Sequence, residues 1–276
     1  MIQRVAIQGD RASFHELAAR KFYGPGIELI CCKSFKETFE AVTFGSADSA
    51  ICAIENSLFG SINETYDLLV KTNFSIIGEI YLRIVQCLIV NPGIQLRDIK
   101  NVYSHPVALA QCQEYLDKEL PNAKRLEFHD TAASVEMIKS TNSQYSAAIA
   151  SAESSKLYEM EILANEIETN KQNYTRFVVL EPKTQKITGS NKTTLIIKTS
   201  HKPGALYKAL GVFAKRSINL SKLQSRPIIG KPWHYMFYLD IECGFSDQRL
   251  IEALDELAVQ GCEVKLLGSY KSGNKV

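Results

Sequence analysis

Three short segments bring together side chains that could bind a small anion and move a proton. In Ile54-Glu55-Asn56-Ser57-Leu58-Phe59-Gly60-Ser61 an apolar strand ends in polar side chains and turns through Gly60. In Tyr103-Ser104-His105-Pro106-Val107-Ala108-Leu109-Ala110-Gln111-Cys112, Ser104 and Gln111 stand seven residues apart, so a helix would place both on one face. Asn173-Tyr174-Thr175-Arg176-Phe177 sets a hydroxyl beside a guanidinium, ahead of the apolar Val178-Val179-Leu180. Arginine can grip a carboxylate through two parallel hydrogen bonds, and a hydroxyl can donate toward a reacting oxygen.

Each segment has a structural reading as well. Asn56 and Ser57 favour turns for local reasons, and Thr175-Arg176 could open an ordinary edge strand. Spacing leaves both readings open. His105 reads as a helix-start histidine contacting nearby backbone rather than as a general base, because no partner carboxylate is identifiable. The Gly9-Asp10-Arg11-Ala12-Ser13 turn resembles a phosphate loop only weakly, lacking the glycine density and lysine of a P-loop.

These segments need a scaffold, and the chain is long enough for two domains at 276 residues. Lysine and arginine total 32 against 30 for aspartate and glutamate, a formal charge of +2. So small an excess excludes a broad basic surface for nucleic acid or membranes, and any anion site must be local. No apolar run reaches the roughly 18 residues of a membrane span, and the N-terminus reads as a strand rather than a signal peptide. The seven cysteines include no Cys-x-x-Cys pair, and the five histidines lack metal-binding spacing. The expectation is a cytoplasmic protein without a metal.

Up to residue 182, apolar runs repeatedly lead into a polar cap and an amphipathic stretch, the alternation of an open α/β fold. The junctions fall at Ser13, Ser61, Ser104, Asp130-Thr131 and Ser151. Ser61-Ile62-Asn63-Glu64 has capping-box spacing. Helix N-termini beyond strand ends would make an anion pocket without excess basic charge. Residues 183–192 read as a linker. Residues 193–276 then carry a βαββαβ order, a ferredoxin-like module, with strands expected at Thr193–Thr199, Asn219–Arg226, Met236–Ile241 and Glu263–Leu267. Its helices are expected at Pro203–Lys215, with proline in the first turn, and Asp247–Val259.

Together, Ile-Glu-Asn-x-x-x-Gly-x-Ile-Asn-Glu-Thr, Tyr-Ser-His-Pro with a later Gln, and Asn-x-Thr-Arg-Phe resemble the prephenate dehydratase family, in order and spacing. The C-terminal part resembles an ACT domain. There Gly204-Ala205-Leu206 and Gln224-Ser225-Arg226-Pro227 stand where the family carries its phenylalanine-binding segments. The resemblance implies a catalytic domain over 1–182 with two α/β lobes similar to type II periplasmic binding proteins, crossing near 79 and returning near 170. It implies conversion of prephenate to phenylpyruvate, carbon dioxide and water in phenylalanine synthesis, without a cofactor. It further implies phenylalanine as effector and a homo-oligomer, dimer or tetramer.

Carried onto this chain, the resemblance makes Thr175 catalytic. It makes Asn56, Ser57, Gly60, Ser104, Gln111, Thr131, Arg176 and Phe177 substrate-binding, with carboxylates received by Arg176 and the helix starts near Ser13, Ser61 and Thr131. The chain departs from the family at Ala12, where a second glycine is common, and at Gln224, which replaces the glutamate of Glu-Ser-Arg-Pro by its amide. The chain also begins at the dehydratase strand, which reads as monofunctional, without a fused chorismate mutase. An arogenate dehydratase would use the same scaffold, and a non-catalytic metabolite sensor is the reading from another class.

Overall fold

The computed structural model describes residues 2–182 and 188–274. Of these, 2–68 and 80–178 form one compact unit, and 69–79, 179–182 and 188–274 form the other. The N-terminal region begins β1 (Arg4–Gln8), α1 (Phe14–Tyr23), β2 (Glu28–Cys32), α2 (Phe35–Thr43), β3 (Ser49–Asn56), β4 (Gly60–Ser61), α3 (Asn63–Lys71) and β5 (Phe74–Arg83). It continues with β6 (Cys87–Val90), a short 3-10 turn, β7 (Asn101–Ser104), α4 (Pro106–Gln111), α5 (Gln113–Glu119), β8 (Lys124–Glu127) and α6 (Thr131–Ser140). β9 (Ser146–Ala150), α7 (Ala152–Leu157), β10 (Glu161–Ala164) and β11 (Tyr174–Pro182) complete it.

Two sheets result, in the orders β2-β1-β3-β11-β5, with β4 paired to β3, and β10-β6-β9-β7-β8. This is the expected two-lobed α/β architecture of type II periplasmic binding proteins. β1 lies between β2 and β3 and is parallel to both, pairing Ile7 with Cys31 and Ile51. In the second sheet β6 is antiparallel to β9 and β10, whereas β7 is parallel to β8 and β9. Side chains alternate across its strands. Leu88, Val90, Ala147 and Ile149 pack under Leu109, Cys112 and Leu116, while Cys87, Ile89, Ala148 and Ala150 pack under Val135 and Ile138. With both faces covered, these strands read as continuous apolar runs.

The caps expected at Ser13, Asp130 and Ser151 are formed, each accepting a backbone N–H of its helix's first turn. Two others differ. Ser61 pairs with Glu55 in the hairpin strand β4, and α3 starts only at Asn63, so Ser61 is a strand residue and not the one directly before the helix. The chain turns at Gly60, φ 78°, before it can coil. Ser104 ends β7, donating its hydroxyl to the carbonyl of Ile149 at 2.6 Å, and His105 caps α4 instead. Ser104 and Gln111 therefore do not share a helix face.

The C-terminal unit carries β12 (Lys192–Lys198), α8 (Ala205–Ala214), β13 (Leu220–Pro227), β14 (Tyr235–Ile241), α9 (Gln248–Val259) and β15 (Glu263–Tyr270). The expected βαββαβ order forms an antiparallel sheet, β13-β14-β12-β15. Leu195, Ile197, Leu239 and Ile241 meet Val212, Phe213, Leu250 and Leu257 of the helices. Pro203 lies before the first helix rather than in its first turn, because Gly204 occupies the cap in a left-handed conformation. Residues 183–187 of the expected linker lie outside the described residues, and Lys192, its last residue, already belongs to β12.

That lysine is buried between two carboxylates. Its Nζ donates to Glu79 at 2.8 and 3.1 Å and lies 3.9 Å from Asp240, which accepts the Thr194 hydroxyl at 2.6 Å. Lys265 donates to the carbonyls of Leu69, Val70 and Thr72 at 2.7 to 3.1 Å, a cation at the C-terminal end of α3. No helix among the described residues is long and apolar enough to cross a membrane.

Candidate active site

A cleft of about 360 Å³ opens in the N-terminal unit and is lined by residues of both sheets and their helices. From the first sheet and α1 come Gln8, Ser13, His15, Ala53, Asn56, Thr175 and Phe177; from the second come Gln86, His105, Gln111, Asp130 and Thr131. Of the residues assigned from sequence, Asn56, Gly60, Gln111, Thr131, Thr175 and Phe177 stand on this one surface. Ser57, Ser104 and Arg176 do not line it.

Asn56 and Thr175 meet where β3 lies beside β11. Asn56 Oδ1 accepts the N–H groups of Leu58 and Phe59, both at 3.0 Å, as the chain turns out of β3. Those two donors settle which end of the amide carries the oxygen. Nδ2 therefore faces β11, where its two N–H groups are shared among Asn173 Oδ1 at 2.8 Å, the Tyr174 carbonyl at 3.2 Å and Thr175 Oγ1 at 3.0 Å. The buried Thr175 hydroxyl thus accepts from Asn56 while its side chain stands in the cleft wall. Ser57 serves this arrangement from outside. Its hydroxyl donates to the Gln172 carbonyl and accepts the Tyr174 N–H, both at 2.9 Å, stitching the end of β3 to β11.

Strand alternation separates Thr175 from Arg176. Thr175 and Phe177 line the cleft, whereas Arg176 is buried off it, with Glu55 4.0 Å away. Among the described residues that line the cleft there is no lysine or arginine. Ser13 and Thr131, at the starts of α1 and α6, do stand in its wall.

His15, His105, His129 and Asp130 are titratable side chains in the wall that were not assigned to the site from sequence. His15 Nε2 accepts the Ala53 N–H at 3.2 Å, and its ring meets Phe35 and Phe177 edge-on. Burial pushes its pKa down to about 3, so it is a neutral acceptor. His105 is likewise lowered by burial, and its Nδ1 accepts the Val107 N–H at 3.3 Å, the structural role expected of it. Asp130 goes the other way: burial, helped by nearby Asp10, raises its carboxyl pKa against the pull of the Ala132 and Ala133 N–H groups. It also leaves no room at Gly9, where a Cβ would lie 2.7 Å from Asp130 Oδ2. Among the described residues no group of three or more His, Cys, Asp or Glu could hold a metal ion.

The effector segments expected in the C-terminal unit lie apart from this cleft in the chain. Gly204 caps α8, leading into Ala205 and Leu206, and Gln224-Ser225-Arg226-Pro227 closes β13. Gln224 Nε2 donates to the Ser225 carbonyl at 3.1 Å.

Residues 5–185 match the family model described as prephenate dehydratase, and residues 193–259 match that of the ACT domain. The chain is 38% identical to a bifunctional chorismate mutase/prephenate dehydratase of Enterobacter agglomerans, covering 99% of this chain and 72% of the relative. It is 40% identical to arogenate dehydratase/prephenate dehydratase 2 of Arabidopsis thaliana, covering 97% and 72%. Among solved structures, the chain is similar to prephenate dehydratase of Arthrobacter aurescens in complex with L-Phe, at TM-score 0.88 and 32% identity over 97% of this chain and 89% of that one. It is also similar to GqqA, described as a novel type of quorum quenching acylase, at TM-score 0.89 and 32% identity over 98% of both.

Proposed function

Because the chain belongs to the prephenate dehydratase family, we propose that its cleft converts prephenate to phenylpyruvate, carbon dioxide and water, under control of phenylalanine at the ACT domain. The observation that carries this reading is the Thr175 hydroxyl, held by Asn56 with its proton available to the cleft.

As the ring carboxylate leaves as carbon dioxide, the electron pair of its bond enters the ring. The carbon–oxygen bond on the far side then breaks, and the departing hydroxyl takes up one proton to become water. Aromatisation supplies the driving force, so the protein mainly orients the substrate and meets the charge that grows on the leaving oxygen. Threonine is too weak an acid to supply the proton unaided. Its role is a directed hydrogen bond to that oxygen, the proton arriving through water or a substrate group. The carboxylates are received at the helix starts by Ser13 and Thr131, while Phe177 gives the ring an apolar wall. Gln111 adds a polar contact, and Ser57, Ser104 and Arg176 act from behind, by fixing the strands that carry the site.

Phenylalanine binds through Gly204-Ala205-Leu206 and Gln224-Ser225-Arg226-Pro227, and the enzyme works as a cytoplasmic homo-oligomer. In support, the similar Arthrobacter aurescens enzyme is described in complex with L-Phe. A second reading, arogenate as substrate, is favoured by the relative that carries both names.

Purified protein assayed with prephenate and with arogenate, each with and without phenylalanine, tests all of this. Phenylpyruvate release, suppressed by phenylalanine, is expected. A strong preference for arogenate would overturn the substrate assignment, and binding of prephenate without product would leave only a sensor.

A further inference from the structure

We propose that Gln86 is a substrate-contacting residue, whose side-chain oxygen accepts a hydrogen bond from a donor group on the ligand; this rests on the dehydratase reading of the cleft. Gln86 is the residue before β6, only 2% exposed, and its side chain lines the cleft. Its backbone is held at both polar groups. The N–H donates to Glu168 Oε2 at 2.9 Å, and the carbonyl accepts the Ile167 N–H at 2.9 Å. Glu168 is itself buried and lies 3.4 Å from Arg83 and 3.8 Å from Lys171, so the carboxylate that grips Gln86 is anchored in turn.

The side chain is held at one end only. Nε2 donates to Gln111 Oε1 at 3.1 Å, and Gln111 lines the same cleft. Oε1 is buried and has no hydrogen-bond partner among the described residues. A buried carbonyl oxygen left unpaired is unfavourable, and native proteins rarely keep one without a use. Its place in the wall of a ligand cleft supplies the use: a bound molecule brings the missing donor. Reversing both amides together would only exchange which atom of Gln86 is left over, so an unsatisfied polar end faces the ligand in either arrangement.

The donor has two possible sources in the molecules this cleft would take. The ring hydroxyl is present on prephenate and arogenate alike, whereas an ammonium group is present on arogenate alone. Keto acid and amino acid therefore separate the two.

Steady-state kinetics of the full chain and its Gln86→Met variant on both substrates test the proposal, with thermal unfolding of each. Methionine keeps the length and volume and removes both the acceptor and the donor to Gln111, whereas Gln86→Glu, run beside it, keeps an acceptor. A fall in kcat/KM of about 10-fold to 100-fold, carried mainly by KM and without a drop in Tm, is expected. A fall on both substrates assigns the bond to the ring hydroxyl, and a fall on arogenate alone assigns it to the ammonium group. Unchanged kcat/KM on every substrate the unaltered protein turns over would overturn the proposal. So would a loss shared by kcat and KM with a lowered Tm, which marks a structural role. If the unaltered protein turns over neither substrate, the dehydratase reading fails, and calorimetric titration with prephenate decides for Gln86. A tenfold weaker affinity in the variant then sustains the contact; equal affinity, or no binding by either protein, rejects it.

Discussion

Asn56 Nδ2 lies 3.0 Å from Thr175 Oγ1, with its orientation set from the opposite side by two backbone N–H groups on Asn56 Oδ1. One amide thus holds a turn closed and donates to a hydroxyl in the cleft wall, which leaves that hydroxyl its own proton to donate.

Replacing Asn56 by Asp should keep the turn, since a carboxylate oxygen still accepts from Leu58 and Phe59, but it removes the donor to Thr175. The hydroxyl would then give its proton to the carboxylate. A fall in kcat of about 100-fold to 1,000-fold is expected, and Thr175→Ala should match it, with KM within a few-fold in both. The double variant should be hardly worse than either single one, because the two act as a unit. Additive losses in rate assays would separate their roles.

Acid should destabilise the N-terminal unit through His15. Its folded pKa of about 3 lies below the ordinary 6.5, so only the unfolded chain takes up a proton between those values. Stability is then complete above about pH 6.5 and is lost as the pH falls toward 3, by up to roughly 1.4 kcal/mol per pH unit. His15→Gln retains an acceptor for the Ala53 N–H without titrating. Denaturant midpoints from pH 7 to 4 should therefore fall less steeply for the variant, and equal slopes would clear His15.

Lys192→Met should cost the C-terminal unit about 3–5 kcal/mol, since it leaves Glu79 and Asp240 buried without their shared cation. Adding Glu79→Gln should recover part of that loss by removing one stranded charge. Chemical denaturation of the three proteins checks this, and a single variant as stable as the parent would show that the lysine contributes no net stability.

Gln224 carries an amide where the resemblance leads one to expect a carboxylate, and a carboxylate would bind an amino-acid ammonium group more strongly. Gln224→Glu should lower the phenylalanine concentration needed for half-inhibition about 5-fold to 10-fold, leaving uninhibited activity unchanged. Inhibition curves that superimpose would remove Gln224 from the effector site.

Local chemistry was legible in the residues themselves. Ser13, Asp130 and Ser151 cap helices as their types dictate, and the alternation in Met236–Ile241 and the stripe of Leu250, Leu254 and Leu257 specify the βαββαβ unit. These features depend on neighbours a few residues apart, so the sequence by itself determined them, along with the family motifs. Which side chains share the cleft depends on how strands distant in the chain lie against one another, and that only the tertiary structure decided. Arg176 reads as a partner of Thr175 until strand alternation turns it away. Ser104 reads as a cap until Ile149, 45 residues on, takes its hydroxyl. Gln86 gives no local signal at all; its importance lies in an oxygen that folding buries in the cleft wall and leaves without a partner.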